Sequence, residues 1–261
     1  MLAAHKHRLK QYLTKEQRNM KEERFFINGI PTVVYGGEAG RVFIFLHGQG
    51  GNKEEAARFA QTAEKYGYQV LGVDLPEHGA RNDVAKLLPW VVVPELRAVM
   101  EYARIRWAHV SVRAISIGAW FSMLAFSGEV IERCLFSTPL LDMENMIENM
   151  MRWAGVTEAQ LEAAREIPAA SGQTLSWDYL CWVRQNPAHA LCRTAILYAA
   201  GDELIPRCVI DAFTAANDCA LTVYDGGQHW LHTAEELDFM RRWEETELEK
   251  PLTGSDGVEK S

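Results

Sequence analysis

The sequence predicts an α/β domain with a predominantly parallel sheet of the eight-stranded type and helices on both faces. Three observations predict it: short runs that are apolar throughout, amphipathic stretches of helical period, and a regular alternation of the two along most of the chain. Strands that are apolar on both sides must be covered on both sides. The length of 261 residues suits one α/β core.

Two short extended runs at residues 24–27 and 31–35 begin this pattern. They flank Asn28-Gly29, a dipeptide typical of the tight turn in a β-hairpin. We therefore expect the sheet to begin with two antiparallel strands.

The alternation of strands and helices starts after this hairpin. Residues 42–46 and 69–73 have the composition of buried strands, and residues 53–65 form an amphipathic helix between them. The other predicted elements are a helix from Pro89 to about Trp107, a strand at 109–113, a helix at 119–126, a strand at 134–136, a strand at 194–199, a helix at 205–216, a strand at 220–224 and a helix at 234–248.

The alternation breaks between residues 139 and 190. Met143, Met146 and Met150 recur there at helical spacing, followed by a predicted helix at 158–166, a loop at 168–173 and a helical piece at 177–183. We interpret this segment as a helical cap inserted into the core. The predicted organisation is a basic arm or helix at 1–22, a core at 23–138 and 191–249, the cap at 139–190, and a disordered tail at 250–261.

Composition excludes several classes of partner. The net charge of −8 and the pI near 5.5 argue against nucleic acid or an anionic membrane as the main partner. The five cysteines are odd in number and scattered, without the C-x-x-C spacing that would suggest a zinc site or a redox motif, which favours reduced thiols in the cytoplasm. The first 20 residues have no apolar segment typical of a signal peptide or membrane span. We expect no metal and no cofactor.

Ser116 lies in the pentapeptide Ala-Ile-Ser-Ile-Gly, directly between a strand-like run and a helix-like run. A corner this tight needs small residues two positions on either side of the serine, and Ala114 and Gly118 meet that need. The hydroxyl then lies at a helix N-terminus, which favours developing negative charge. Taken alone, such a Ser-x-Gly in an apolar stretch is more often a buried structural serine.

Two later loops favour the catalytic interpretation of Ser116. Asp202 follows the strand at 194–199, and His229 follows the strand at 220–224, so both lie at the edge of the sheet where Ser116 is expected. Asp202 has a structural alternative as a helix cap, with Glu203 and Asp225 as other candidate acids. His232 is a surface alternative to His229. The chain order is serine, acid, histidine.

In these features the chain resembles the α/β-hydrolase fold family, from about Ile27 to Leu248. Four further pieces carry the resemblance: residues 46–51, 74–79, 201–202 and 227–230, each directly after a strand. The resemblance implies Ser116 as nucleophile, His229 as general base and acid, and Asp202 as the carboxylate that orients the imidazole. It also implies an oxyanion hole formed by the backbone N–H groups of Gln49 and Ile117.

The function that this pattern predicts is a serine hydrolase, most directly a carboxylesterase acting on a small or aromatic acyl ester. His47 and His78 are interpreted as structural residues that hold loops near the site. Glu77 stands where the family usually has glycine. The alternatives are an aminopeptidase or thioesterase of the same fold, or a ligand-binding protein that does not turn over. An apolar acyl pocket is predicted from tryptophans near the corner or in the cap: Trp120, Trp153, Trp177, Trp182 and Trp230.

Overall fold

A computed structural model describes residues 20–169 and 172–252. Most of the predicted N-terminal arm and of the predicted tail therefore lies outside the described residues. The strands in these residues are β1 (Glu22–Ile27), β2 (Ile30–Tyr35), β3 (Arg41–Leu46), β4 (Tyr68–Val73), β5 (His109–Ile115), β6 (Cys134–Ser137), β7 (Glu166–Pro168), β8 (Thr174–Ser176), β9 (Thr194–Ala199) and β10 (Cys219–Tyr224). Eight of them form one sheet in the order β1-β2-β4-β3-β5-β6-β9-β10.

The pairing of the strands is predominantly parallel. Only β1 with β2 and β2 with β4 pair antiparallel among the described strands of this sheet. Asn28 and Gly29 both have positive φ, 48° and 86°, as a two-residue hairpin turn with the twist of its strands requires. The predicted opening hairpin and the predicted α/β class are confirmed.

Helices cover both faces of the sheet. Along β3, Val42, Ile44 and Leu46 belong to one buried cluster, whereas Phe43 and Phe45 belong to another on the opposite face. The helices are α1 (Ala56–Ala63), α2 (Pro89–Arg106), α3 (Ile117–Ala125), α4 (Met143–Ala154), α5 (Glu158–Ala164), α6 (Trp177–Gln185), α7 (Arg207–Ala216) and α8 (Ala234–Glu249). Helices α2 and α3 pack on the first face, and α1 and α8 on the second.

The inserted segment after β6 contains more than helices. Between α5 and α6, β7 (Glu166–Pro168) and β8 (Thr174–Ser176) pair as an antiparallel hairpin. The predicted helix at 158–166 therefore ends early, at Ala164, because Arg165 adopts a φ of 66° that breaks the helical path. The prediction of a plain loop at 168–173 is also wrong at its first residue, which belongs to β7.

The parallel strands bring a set of loops to the carboxyl edge of the sheet. The loops after β3, β4, β5, β9 and β10 all leave from this edge, which is where open parallel sheets bind ligands. Among the helices of the described residues, none has the length and apolar character needed to cross a bilayer.

Candidate active site

Ser116 occupies the turn between β5 and α3 in an unusual backbone conformation. Its φ of 49° and ψ of −121° lie outside the regions that residues with a side chain normally adopt. The turn is held by the hydrogen bond from the Ser116 N–H to the Ser137 carbonyl at 3.2 Å and by the Leu140 N–H, which donates to the Ser116 carbonyl at 3.1 Å. Strain at this residue is typical of a serine that presents its hydroxyl at the end of a sheet.

The close approach of helix and sheet explains the small residue after the serine. A Cβ atom at Gly118 would lie 2.6 Å from the Leu46 carbonyl oxygen and 2.7 Å from the His47 carbonyl oxygen. Both distances are shorter than any real side chain tolerates against backbone. Gly118 therefore permits α3 to begin directly behind the loop that follows β3.

Ser116, His229 and Asp202 are joined by two short hydrogen bonds. Ser116 Oγ lies 2.8 Å from His229 Nε2, and His229 Nδ1 lies 2.7 Å from Asp202 Oδ2. Because an ionised carboxylate only accepts, the Nδ1–H must donate to Asp202, which leaves Nε2 free to accept from the serine hydroxyl. The geometry is that of a nucleophile, a base and a group that orients the base.

The two oxygens of the Asp202 carboxylate have separate partners, and the predicted helix-cap alternative is wrong, because α7 begins only at Arg207 and its N-cap is Pro206. Asp202 Oδ1 accepts the backbone N–H groups of Leu204 and Ile205, each at 2.9 Å, while Oδ2 accepts from His229. The carboxylate side chain is fully buried, whereas the His229 side chain is 18% exposed. The loop bonds of Oδ1 fix the carboxylate in the orientation that the imidazole needs.

The alternative acids and the alternative histidine are exposed to solvent, unlike the buried Asp202 and the partly buried His229. Glu203 and Asp225 are exposed. His232 is also exposed; its ring stacks on Trp230 and its Nδ1 donates to the Trp230 carbonyl. The structure thus brings Asp202 and His229 to Ser116, as the resemblance implies. Their catalytic roles, like those of the other site residues, stay predictions.

The loop after β3 approaches the serine closely. A Cβ atom at Gly48 would lie 3.3 Å from Ser116 Cβ, so this loop passes directly beside the predicted nucleophile. Gln49 follows and is exposed, and Ile117 is the first residue of α3. The first N–H groups of a helix have no partner within it, so the Ile117 N–H points out of the helix start.

His47 and His78 connect the loops after β3 and β4 in a reciprocal way. The Leu75 N–H donates to His47 Nε2 at 3.1 Å, and the Gly50 N–H donates to His78 Nε2 at 2.9 Å. Each Nδ1–H donates to a backbone carbonyl of its own loop, Gly48 for His47 and Pro76 for His78. We call these four bonds the loop brace; they hold the residues on both sides of Gln49.

The loop brace requires both imidazoles to be neutral, because each Nε2 accepts a hydrogen bond. His47 is fully buried, and burial lowers its pKa to about 4. The neutral form of His47 is therefore the stable one at ordinary pH. The sequence predicted that His47 and His78 hold loops near the site, but not that each histidine bonds to the other's loop. The signal in the sequence is a histidine in each of these two loops.

The five predicted pocket tryptophans are found in three different environments. Trp120 is buried at 1% exposure, Trp177 and Trp182 are partly buried, and Trp153 and Trp230 are 59% and 60% exposed. Trp120 contacts the cap through Trp182, with ring centroids 6.2 Å apart. A role in substrate binding stays a prediction for all five. In the described parts of the chain, no group of three or more His, Cys, Asp or Glu side chains is arranged to hold a metal ion.

No protein-family model and no curated protein matches this chain. Solved structures do match. Est1E from Butyrivibrio proteoclasticus, in a complex with ferulic acid, shares 19% identity with a TM-score of 0.67, over 87% of this chain and 97% of that one. An esterase from Pyrococcus furiosus shares 16% identity with a TM-score of 0.63, over 90% of this chain and 92% of that one. The mouse alpha/beta hydrolase domain-containing protein 10 shares 12% identity with a TM-score of 0.66, over 85% and 96%.

The matching solved structures and the strand order of the sheet together define the fold class of the protein. The protein has the α/β-hydrolase fold, as its sequence pattern predicts. At this level of identity the likeness establishes the fold alone.

Proposed function

We propose that the protein is a serine hydrolase, most directly a carboxylesterase that acts on a small or aromatic acyl ester. The observation that carries the proposal is the continuous hydrogen-bond chain from Ser116 Oγ through the His229 imidazole to Asp202. A serine hydroxyl becomes a useful nucleophile when a base accepts its proton, and the imidazolium that forms needs a fixed negative partner. The two hydrogen bonds, at 2.8 Å and 2.7 Å, support this assignment.

The proposed reaction has two halves. Ser116 Oγ attacks the ester carbonyl carbon while His229 Nε2 takes the hydroxyl proton, and the imidazolium then gives that proton to the departing alcohol oxygen. In the second half, water transfers a proton to His229 and attacks the acyl-serine, and the proton returns to Ser116 as the acid leaves. One ester and one water give one acid and one alcohol.

The proposed oxyanion hole consists of the N–H groups of Gln49 and Ile117. Its support is the position of Gly48 beside Ser116 and the position of Ile117 at the start of α3. The loop brace holds the backbone on both sides of Gln49. Loss of one such donor typically raises the barrier by about 3 to 4 kcal/mol.

The choice of esters over other acyl compounds has two supports. An alcohol leaves with less help from an acid than an amine does, so the groups described above suffice for an ester. One structural neighbour, from Pyrococcus furiosus, is named an esterase, and another, Est1E, holds ferulic acid. A small-molecule ester as partner, with neither nucleic acid nor membrane, and a cytoplasmic location are further predictions from the sequence.

The experiment is a hydrolysis panel of aryl, alkyl and thio esters together with aminoacyl amides. We expect the wild-type protein to hydrolyse short-chain or aromatic esters and Ser116→Ala to lower kcat by about 10⁶. His232→Ala is the matched control, because His232 is exposed and stands three residues from His229. It should retain wild-type rates while His229→Ala loses them.

The same panel separates the alternatives. Turnover of aminoacyl amides or thioesters without turnover of oxygen esters would replace the esterase proposal with an aminopeptidase or a thioesterase. Absence of turnover across the panel, together with no reaction at Ser116 with a fluorophosphonate, would indicate a ligand-binding protein.

A further inference from the structure

The side chain of Tyr179, in helix α6 of the cap, has its hydroxyl buried, whereas most surface tyrosines leave that group in water. Tyrosine side chains normally bury the apolar ring and leave the hydroxyl in water. Here the residue as a whole is partly exposed, but its hydroxyl oxygen is buried and has no hydrogen-bond partner within residues 20–169 and 172–252. The polar end of the side chain therefore points into the protein.

An inward hydroxyl without a partner is unfavourable, because it loses its bonds to water and gains none. The hydroxyl also keeps its proton, because burial raises the pKa of Tyr179 well above its usual range. The group is a neutral O–H, and its O–H hydrogen is available to an acceptor. Buried groups of this kind are rare enough that each one calls for an explanation.

The surroundings of Tyr179 are aromatic. Its ring centroid lies 6.1 Å from that of Trp90, at the start of α2, and 6.1 Å from that of Trp120, in α3. Trp182, from the same cap helix, completes the group through its contact with Trp120. We call these four side chains the aromatic cluster. Flat apolar faces at such angles suit another aromatic ring.

The aromatic cluster lies close to the proposed nucleophile. Trp120 is four residues after Ser116, about 6 Å further along α3, and side chains in a helix lean back towards its N-terminus. The cap itself is bound to the turn, because the Leu140 N–H donates to the Ser116 carbonyl. Trp120 thus links Tyr179, whose ring centroid lies 6.1 Å away, to the helix that begins at Ser116.

We propose that Tyr179 is a specificity residue whose hydroxyl binds a hydrogen-bond acceptor at the far end of an aromatic acyl group. This inference rests on the proposed esterase function. The leaving alcohol must lie beside His229, which protonates it, whereas the aromatic cluster comes from α2, α3 and α6. The cluster is therefore assigned to the acyl side. The preferred acyl group has a ring with a hydroxyl or alkoxy substituent opposite its link to the carboxyl.

The test compares two substrates of equal size. The methyl esters of 3-(4-methoxyphenyl)propenoic acid and 3-(4-ethylphenyl)propenoic acid differ in one acceptor oxygen at the far end of the ring. For each protein, the measured quantity is the ratio of kcat/KM for the methoxy ester to kcat/KM for the ethyl ester. We expect this ratio to be about fivefold to tenfold higher in the wild-type protein than in Tyr179→Phe, as loss of one hydrogen bond predicts. Equal methoxy-to-ethyl ratios in the two proteins would overturn the proposal.

Two controls distinguish recognition from a structural effect. Tyr66→Phe removes an exposed hydroxyl bonded to Glu249 and should keep the wild-type ratio. Thermal melting gives the second readout: Tyr179→Phe should melt no lower than wild type, because the hydroxyl has no partner to lose. Tyr198→Phe, which loses a bond to the Ile205 carbonyl, should melt lower. A lower melting temperature for Tyr179→Phe would assign its hydroxyl to the fold and contradict the proposal.

A binding experiment makes the inference independent of turnover. The free 4-methoxy and 4-ethyl acids are titrated calorimetrically into Ser116→Ala and into the Ser116→Ala/Tyr179→Phe double variant. Tighter binding of the methoxy acid that disappears with Tyr179→Phe would support the specificity role even if no ester were hydrolysed, in which case the proposed function alone would fall. Equal binding of both acids by both proteins would overturn the inference while leaving an active esterase intact.

Discussion

At the scale of single residues, the two oxygens of Asp202 have different partners. Oδ1 accepts two backbone N–H groups of its own loop, and Oδ2 accepts from His229. The sequence offered these roles as alternatives, helix cap or catalytic acid. In the structure Asp202 does not cap the helix, which begins at Arg207; its Oδ1 instead closes the loop before that helix, and these loop bonds orient the oxygen that faces the imidazole.

This division allows the two roles of Asp202 to be separated by substitution. Asp202→Asn can keep a carbonyl oxygen for the loop, but its amide group cannot accept from the His229 Nδ1–H. We expect kcat for ester hydrolysis to fall by about 10³ to 10⁴ with little loss of stability. Asp202→Ala should lose stability as well, by about 1 to 2 kcal/mol in urea denaturation. An Asp202→Asn variant with wild-type kcat would show that this carboxylate only caps the loop.

At the scale of elements, the loops after β3 and β4 act as one unit through the loop brace. Their histidines exchange bonds with the opposite loop, and their ring centroids lie 5.1 Å apart. The backbone that carries the proposed oxyanion donor at Gln49 is therefore held from both sides. A donor that is fixed before the reaction costs no reorganisation when charge develops.

We predict that His78→Ala slows catalysis without weakening substrate binding. The Gly50 N–H loses its acceptor, so the position of the neighbouring Gln49 N–H becomes less defined. We expect kcat to fall about 10-fold to 100-fold with KM changed by less than about threefold. His78→Gln, whose amide oxygen reaches the same place as Nε2, should restore part of the rate. A rise in KM with unchanged kcat would contradict the positioning role.

A second connection between elements supports the strand that leads to Ser116. Arg113 in β5 and Glu244 in α8 form a fully buried ion pair at 2.8 Å, and Arg113 also donates to Ser137 Oγ. Breaking a buried pair leaves one charge without compensation. The strand and the C-terminal helix are thus coupled across one face of the sheet.

We predict that Glu244→Ala destabilises the fold by about 3 to 5 kcal/mol in urea denaturation. Glu245→Ala is the matched control, since its ion pairs with Arg241 and Lys65 involve exposed partners and should contribute at most about 1 kcal/mol. Replacing both members of the buried pair, as Arg113→Met with Glu244→Leu, should recover most of the loss. Equal effects at positions 244 and 245 would contradict this account.

At the scale of the whole molecule, the sequence predicted the features that local patterns determine, and it missed the features that depend on contacts between distant residues. The order of strands along the chain and the serine, acid, histidine order follow from apolar runs and the residues after them. The strands β7 and β8 were missed because runs of three residues are too short for a period of two to be visible. The pairing of Arg113 with Glu244 was also missed, because the two residues stand 131 positions apart and nothing local in the sequence joins them. The inward hydroxyl of Tyr179 depends on how the cap packs.

Buried titratable groups make the stability of the whole molecule depend on pH. Burial lowers the pKa of His47 to about 4, so the native state resists a proton that the unfolded chain takes up near 6.5. Stability is therefore lost as the pH falls from about 6.5 to 4. Burial also raises the pKa of Glu55 to about 7, so the native state favours the protonated acid. This group therefore makes the molecule less stable as the pH rises from about 4.5 to 7, in the opposite sense to His47.

A comparison with His47→Gln isolates the histidine. We predict that the unfolding free energy of wild type falls relative to this variant by about 3 kcal/mol between pH 6.5 and pH 4, and that the difference between the two is constant above about pH 7. The measurement is urea denaturation across this range. A difference that does not change with pH would mean that His47 is not held neutral by burial.

In the proposed mechanism, His229 activates Ser116 as a nucleophile. The most direct test is reaction with a fluorophosphonate, followed by mass spectrometry of the peptide that carries the adduct. We predict one adduct per chain, located on Ser116, formed rapidly by wild type and by His232→Ala but about 10³-fold or more slower by His229→Ala. An adduct on another residue, or labelling of Ser116 at the same rate without the imidazole of His229, would contradict the claim.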